Sequence, residues 1–343
     1  MSELSDVSSE EQQADIVADG EPEPEPEPAA AQKTAPPPAA EPRVRRLNII
    51  GLRNVFFAIS LLIIIPGIVS MATKHFALGI DFAGGTELTV TFADQPSLQR
   101  VEGVVDAEGL NGQVIQTKDG YILRYPVLNQ AELTNVEGYL TSNLGEMSVQ
   151  QQLSVGGTIA GETIFYSLLA VVLASVAILL LLAIRFRNVP GGWRAGFQFG
   201  GSALAALLHD VFILTGIFSI LGKVFDLHIG EIDAFFVTAV LTVVGFSVHD
   251  TIVVFDRIRE NLRVSQRLSF EQVVNLSIMQ TAARSIITSF TVVLVLAAIF
   301  ISGGETIKGL ALALLIGIIS GTYSSIFNAA PLLVVWRRLQ PIR

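Results

Sequence analysis

No cysteine occurs among the 343 residues, which excludes disulfide cross-links and thiolate metal sites without naming a compartment. Charge is scarce as well. Only 15% of the residues are Asp, Glu, Lys or Arg, 51% are apolar and the mean hydropathy is +0.56, far from the roughly 25% charged content of a soluble domain. The chain reads as an integral membrane protein. It also lacks a Walker loop, a zinc triad, a nucleophile elbow and an acid pair at catalytic spacing, so an enzyme is not expected, nor are a cofactor, a metal or a nucleic-acid partner. Energy for any work must then come from an ion gradient or from a partner.

What charge there is lies unevenly. Residues 1–42 hold eleven acidic residues against the single Lys33, a net of −10 within the chain's −9, so the remainder is nearly neutral. The stretches "EPEPEPEP" and "APPPAA" offer almost nothing to bury and repel themselves, and the segment reads as a disordered acidic Pro/Glu-rich tail.

Six apolar runs reach the roughly 20 residues a membrane helix needs: about 54–72, 163–184, 199–221, 234–255, 285–302 and 308–336. Arg43, Arg45, Arg46 and Arg53, then Arg185, Arg187 and Arg194, then Arg257, Arg259, Arg263 and Arg267, then Arg337, Arg338 and Arg343 all fall on one side of a six-span layout. By the positive-inside rule that side is cytoplasmic, with both termini. The divisions expected are a tail at 1–42, the first span and its flank at 43–74, an extracytoplasmic domain at 75–162 and spans two to six at 163–343. Within the domain, "ELTVTFA" alternates as a strand, "SLQRVEGVVDAEG" has helical spacing, "VIQTKDGYILRYP" reads as a hairpin turning at Asp119-Gly120, "NQAELTNVEGYLTSNL" is helical and "MSVQQQLSV" closes as a strand. The order βαββαβ predicts a small ferredoxin-like α+β domain suited to binding a partner.

Ionisable residues within spans are the candidates for function, because an ionised carboxylate at the bilayer centre is disfavoured by about 2.5–3.5 kcal/mol or more. Asp210 in "ALLHDVF" lies about eleven residues, or roughly 16 Å, from the inner end of span three. Asp250 in "FSVHDTIVVFDRIREN" precedes Asp256 by about six residues, or roughly 9 Å. Depth alone favours Asp210. Ser247, Asp250, Val254 and Arg257 share one helical face, and His249 lies about 100° away with Thr242, Gly245 and Asp256. Arg284 opens span five, with Thr288 and Thr291 at helical spacing. Two readings stay open for each group: proton carrier or static hydrogen-bonded pair for the carboxylates, carboxylate partner or snorkelling anchor for Arg284, and relay or packing residue for His209 and His249. Gly317 and Gly321, continued by Ser325 and Asn328, form a small-residue stripe for close helix contact. Gly84 and Gly85 in "GIDFAGGT", and Gly156 and Gly157 in "SVGGTIAGE", read as turns or hinges where the domain meets the membrane.

"GIDFAGGT" after span one, "GFSVHDTIVVFDRIREN" in span four and the six-span layout together resemble the SecF family, the smaller membrane subunit of the bacterial SecD/SecF accessory complex of protein export, over about residues 45–340. That family is of the resistance-nodulation-division type. The resemblance implies pairing with SecD in a twelve-span unit, work beside the SecYEG channel on unfolded exported polypeptide, and use of protons driven across the inner membrane and its lipid. It also places the family's essential carboxylate on Asp250 and its arginine on Arg284, reversing the ranking from depth. His249 stands where the family commonly has asparagine, which adds a second titratable group. "VGGTIAGET" departs from the family's V-G-P-x-x-G-x-E-L at Gly157 and Thr163, loosening the expected hinge. Three functions compete: proton-coupled assistance of export, a non-conducting scaffold, and half of a small-molecule or lipid exporter. The single outer domain of about 88 residues is short for an exporter's funnel.

Overall fold

The structure, a computed structural model, describes residues 47–265 and 267–341. The acidic stretch 1–42, together with Arg43, Arg45, Arg46 and Arg343, lies outside the described residues. In chain order the elements are α1 (Arg53–Lys74), a one-turn α2 (Ile80–Ala83), β1 (Gly85–Phe92), α3 (Leu98–Glu108), β2 (Gln113–Gln116), β3 (Tyr121–Tyr125), α4 (Gln130–Leu144) and β4 (Met147–Val155). There follow α5 (Gly157–Arg185), α6 (Gly192–Lys223), a 3-10 turn at His228–Gly230, α7 (Ala234–Val264), α8 (Phe270–Ser302), α9 (Glu305–Ser324), a π-helical turn at Ser325–Ala329, and α10 (Ala330–Leu339). Among the described residues six helices are long and apolar enough to cross a membrane, α9 to α10 counting as one, as the six apolar runs predict.

Several helices outrun their apolar cores. The α5 helix starts at Gly157 rather than 163, α7 continues to Val264 and α8 begins at Phe270 rather than 285. Thirty-three residues of α8 make about 50 Å of helix, against a hydrocarbon layer of about 30 Å. Its first four turns are therefore amphipathic helix beyond the apolar run, started by a capping box between Ser269 and Gln272. Asn261 donates to Ser277 Oγ across this α7–α8 hairpin at 2.9 Å. Asn275 holds the chain entering α1, accepting from Ile49 N at 2.9 Å and donating to the Leu47 carbonyl at 3.1 Å.

The domain between α1 and α5 is the predicted βαββαβ unit, with an all-antiparallel sheet in the order β2-β3-β1-β4. Period-two alternation sends Leu88, Val90 and Phe92 of β1, and Tyr121, Leu123 and Tyr125 of β3, to one face. There they pack on Val101 and Val105 of α3 and on Leu133, Val136 and Leu140 of α4. A capping box, Asn129 with Glu132, starts α4. The other face carries Glu87, Ile122 and Arg124 toward the membrane bundle.

Within the bundle α6, α7 and α9 bury the largest shares of their apolar stretches, while α1, α5 and α8 stay mostly exposed. Lipid tails are as apolar as leucine, so helices associate through close packing of small residues and through hydrogen bonds. Both occur. At the α1–α6 crossing a Cβ on Gly67 would sit 2.8 Å from Gly216 Cα, and one turn on Ser70 and Ser219 share a 2.8 Å hydrogen bond. At the α7–α9 crossing a Cβ on Gly317 would overlap Val243 Cγ2, and one on Gly321 would come within 3.0 Å of Ser247 Cβ.

Candidate functional site

Asp210 sits at the centre of the bundle, 1% exposed, and its carboxylate is saturated with donors. Ser247 Oγ of α7 and Ser324 Oγ of α9 donate to Oδ2 at 2.7 and 2.6 Å; Ser320 Oγ of α9 donates to Oδ1 at 2.7 Å. His209 Nδ1 lies 3.0 Å from Oδ1, and His209 Nε2 lies 3.0 Å from Asn328 Nδ2. An amide NH2 only donates, so Nε2 is the acceptor and the imidazole proton resides on Nδ1, facing the carboxylate. Asn328 Nδ2 also donates to Ser60 Oγ of α1 at 3.0 Å. One polar network thus ties α1, α6, α7 and α9 together, and Gly321 is what lets Ser247 come close enough to join it. Asn328 belongs to this network rather than to a bare packing stripe.

Asp250, one turn beyond Ser247 on α7, is partnered on one side only. Ser285 Oγ of α8 donates to Oδ1, while Oδ2 is buried with no partner among the described residues. A buried carboxylate oxygen without a donor forfeits its solvation, a penalty of about 1–3 kcal/mol and more for a charge, unless it takes a proton or meets a group from outside the chain. Of the two membrane carboxylates, then, Asp210 is held as a satisfied acceptor and Asp250 is the one left open. Thr251 and Ser325 share a 3.0 Å hydrogen bond beside it.

Neither Arg284 nor His249 makes a hydrogen bond or ion pair with that carboxylate among the described residues. Arg284 is exposed on α8 and makes no ion pair or side-chain hydrogen bond among the described residues. His249 is exposed too, in a line on α7 with Thr238, Thr242 and Gly245. Small and polar side chains at three- and four-residue spacing suit contact with another helix better than with lipid. Of the expected hinges, Gly84 (φ +73°) and Gly85 (φ +138°) adopt backbone that glycine alone enters freely. Gly156 and Gly157 do not: β4 runs into α5 through an extended Gly156 (φ −69°), and open space surrounds both.

At the other end of α7, residues absent from the sequence reading form a second cluster. The Arg124 fork of β3 donates to Glu231 Oε1 and Oε2 at 2.7 and 2.6 Å, and its Nε to Glu87 Oε2 of β1 at 2.7 Å. His228 Nδ1 lies 3.0 Å from Glu231 Oε1. The segment after α1 is stitched to the same loop: Ile232 N donates to the Ala77 carbonyl at 2.8 Å, Gly79 N to the Ile232 carbonyl at 2.9 Å, and Ala234 N, in the first turn of α7, to Asp81 Oδ2 at 2.9 Å. A Cβ on Gly79 would come within 3.0 Å of Asp233 Cβ, so "GID" reads physically as a clamp on the start of α7.

Burial pushes the Glu231 carboxyl up, but hydrogen bonds and charge from His228 and Arg124 outweigh it and hold the group below the ordinary carboxylate value. A folded value below the unfolded one, which is about 4.3, gives stability that is present above that pH and is lost as pH falls through the folded value. Thermal melts of the purified protein from pH 7 down to pH 3 should therefore show a fall in stability confined to the acid end. Glu231→Gln should start lower at pH 7 and show a shallower acid limb, and an unchanged limb would exclude Glu231 as its source.

Comparison with known proteins agrees with this architecture. The family model described as "Protein export membrane protein SecD/SecF, C-terminal" matches residues 135–339, and "SecD/SecF GG Motif" matches residues 69–95. A "Protein translocase subunit SecF" from Thermobaculum terrenum is 44% identical over 311 residues, covering 87% of this chain and 96% of the relative. One from Anaerolinea thermophila is 41% identical over 296 residues, covering 84% and 94%. Among solved structures, the crystal structure of SecDF, a translocon-associated membrane protein from Thermus thermophilus, superposes with a TM-score of 0.75 at 31% identity. That match covers 85% of this chain and 39% of the SecDF chain, so this chain spans well under half of that longer protein.

Proposed function

The chain belongs to the SecD/SecF family of protein-export membrane proteins, and from that membership we propose that it works as a SecF-type subunit, coupling the proton-motive force to polypeptide export. In this reading it pairs with SecD beside the SecYEG channel, with its arginine-rich ends and both termini in the cytoplasm and its α+β domain outside. The observation that bears most of the weight is the inequality of the two carboxylates: Asp210 has four donors around it, whereas Asp250 takes the Ser285 hydroxyl, with the nearby Ser325 hydroxyl committed to Thr251 and the Gly321 carbonyl. Asp250 is the group that changes charge. Asp210, with its serines, fixes the packing against which that change is felt. The exposed line Thr238, Thr242, Gly245 and His249 on α7, with the exposed Arg284 of α8, is assigned as the face that SecD covers. Arg284 and the open Oδ2 of Asp250 would then belong to a site completed between two chains.

The magnitudes are compatible. One charge moved across about 100 mV releases roughly 2.3 kcal/mol, enough to shift a two-state equilibrium several-tenfold and too little to unfold a domain, so export of one polypeptide takes many cycles. The test is translocation of a secretory substrate into vesicles holding this chain, SecD and SecYEG, with and without a proton gradient. Stimulation that vanishes with a protonophore is expected. Stimulation that survives it, at the same level, would overturn the proposal.

A further inference from the structure

The α+β domain meets the bundle through contacts of two kinds, and glycines lie between them. The first kind is uncharged or backbone-based and stays within the membrane-proximal chain. Ser219 Oγ donates to the carbonyl of His75 at 2.7 Å, Ala77 and Gly79 pair with Ile232, and Asp81 receives the Ala234 amide. All of these precede Gly84–Gly85, the positive-φ pair that leads into β1. The second kind lies beyond the glycines and comes from the sheet itself: the Arg124 fork on Glu231, braced across the β1–β3 register by Glu87, and a long uncharged contact in which Gln151 of β4 accepts from Thr306 of α9 at 3.5 Å. The sheet's other connection, through Gly156–Gly157 into α5, is unobstructed. Beside the fork a cavity of about 870 Å³, lined by β2, Lys223, Asp226 and His228, separates the sheet from the α6–α7 loop.

We propose that Arg124 is a positioning residue, a releasable latch that holds the sheet to the start of α7, so that motion of the helix bearing Asp250 is delivered to the outer domain. The inference rests on the proposed export function. The anchor at residues 77–81 stays with α7, Gly84–Gly85 is the pivot, and the ion pair determines whether the sheet follows the helix or tilts over the cavity. Arginine suits the task, because its planar fork engages two carboxylates at once where a lysine ammonium engages one point. The groups facing it are Glu87 from β1 and Glu231 and His228 from the α6–α7 loop; Lys223 and Asp226 line the cavity beside it, and Asp81 and Asp233 line a smaller pocket of about 150 Å³ on its other side.

This chain has no native cysteine, so in a complex assembled with cysteine-free partners the introduced labels are the sole ones. Labels at Gly138→Cys on α4 and Val224→Cys at the end of α6 report the sheet-to-bundle distance. The wild-type background should give one narrow distribution. Arg124→Gln should add a second, longer population and lower gradient-dependent export about fivefold or more, as loss of the contact that distinguishes two states requires. Glu231→Gln, which removes the partner and leaves Arg124 in place, should reproduce both effects if either variant proves hard to fold. A single unchanged distance in both variants would overturn the latch, and so would a second population with undiminished export. Asp250→Asn in the same vesicles separates the two readings: full export there sinks the proton-driven function, whereas full export in Arg124→Gln alone sinks only the latch.

Discussion

Asp250→Asn is expected to abolish the gradient-dependent part of export while leaving the subunit folded and assembled. The substitution keeps shape and nearly keeps volume. Asn Oδ1 still accepts from Ser285, and the amide NH2 replaces the open Oδ2 with a group that can donate but cannot change charge. Gradient-independent translocation should continue at its own rate, so that wild type and variant converge once a protonophore is added. The measurement is export by reconstituted vesicles with the gradient on and off, with co-purification of SecD as the control for assembly. Stimulation equal to wild type would remove Asp250 from the mechanism. By contrast, Asp210→Asn should fail in a different way: its NH2 would confront two serine hydroxyls now directed at a carboxylate, and the loss should fall on stability before coupling.

Gly317→Ala should be a strongly disruptive single-methyl change in the bundle. The added Cβ would overlap Val243 Cγ2, and valine is β-branched and stiff at χ1, so it cannot swing aside as a longer side chain would. Separating α9 from α7 there also draws Ser320 and Ser324 off Asp210, which leaves a buried carboxylate short of donors. The expected loss is about 3 kcal/mol or more, read as failure to accumulate in the membrane or as a large drop in thermal midpoint. Val243→Ala alone should be mild, and Val243→Ala in the Gly317→Ala background should restore much of the loss. An additive double variant would mean that the α7–α9 contact is not where the methyl acts.

The architecture was legible in the sequence because its signals are long and periodic. Six apolar runs, strands alternating around Leu88 and Leu123, and two amphipathic helices between them each repeat a pattern over many residues. Helix ends were less so: α8 extends fifteen residues before its apolar run, and nothing in hydropathy marks a helix that continues into water. The carboxylates were visible because charge within hydrocarbon is rare. Their inequality was not, since it depends on Ser320 and Ser324 turning toward one aspartate and Ser285 toward the other, and serines are too common in membrane helices to single out. The Arg124 cluster was hidden for another reason. Alternation puts Glu87 and Arg124 opposite the aromatic core, yet no spacing connects them with Glu231, more than a hundred residues on. At Gly156–Gly157 residue type was the whole signal: a glycine pair at a junction resembles a turn or hinge, while the backbone there is one any residue could adopt.

The wide turn at Ser325–Ala329 has a consequence for the last span. A π turn holds a surplus residue, and one residue corresponds to about 100° of rotation, so α10 shows its neighbours a different side from the one an unbroken α-helix would. That offset is what points the Trp336 ring at Gly201 of α6, where any Cβ would collide with the indole. Five residues in mid-span thus set the azimuth of the final ten, and deleting any one of them would leave the helix continuous while turning the indole out of its slot.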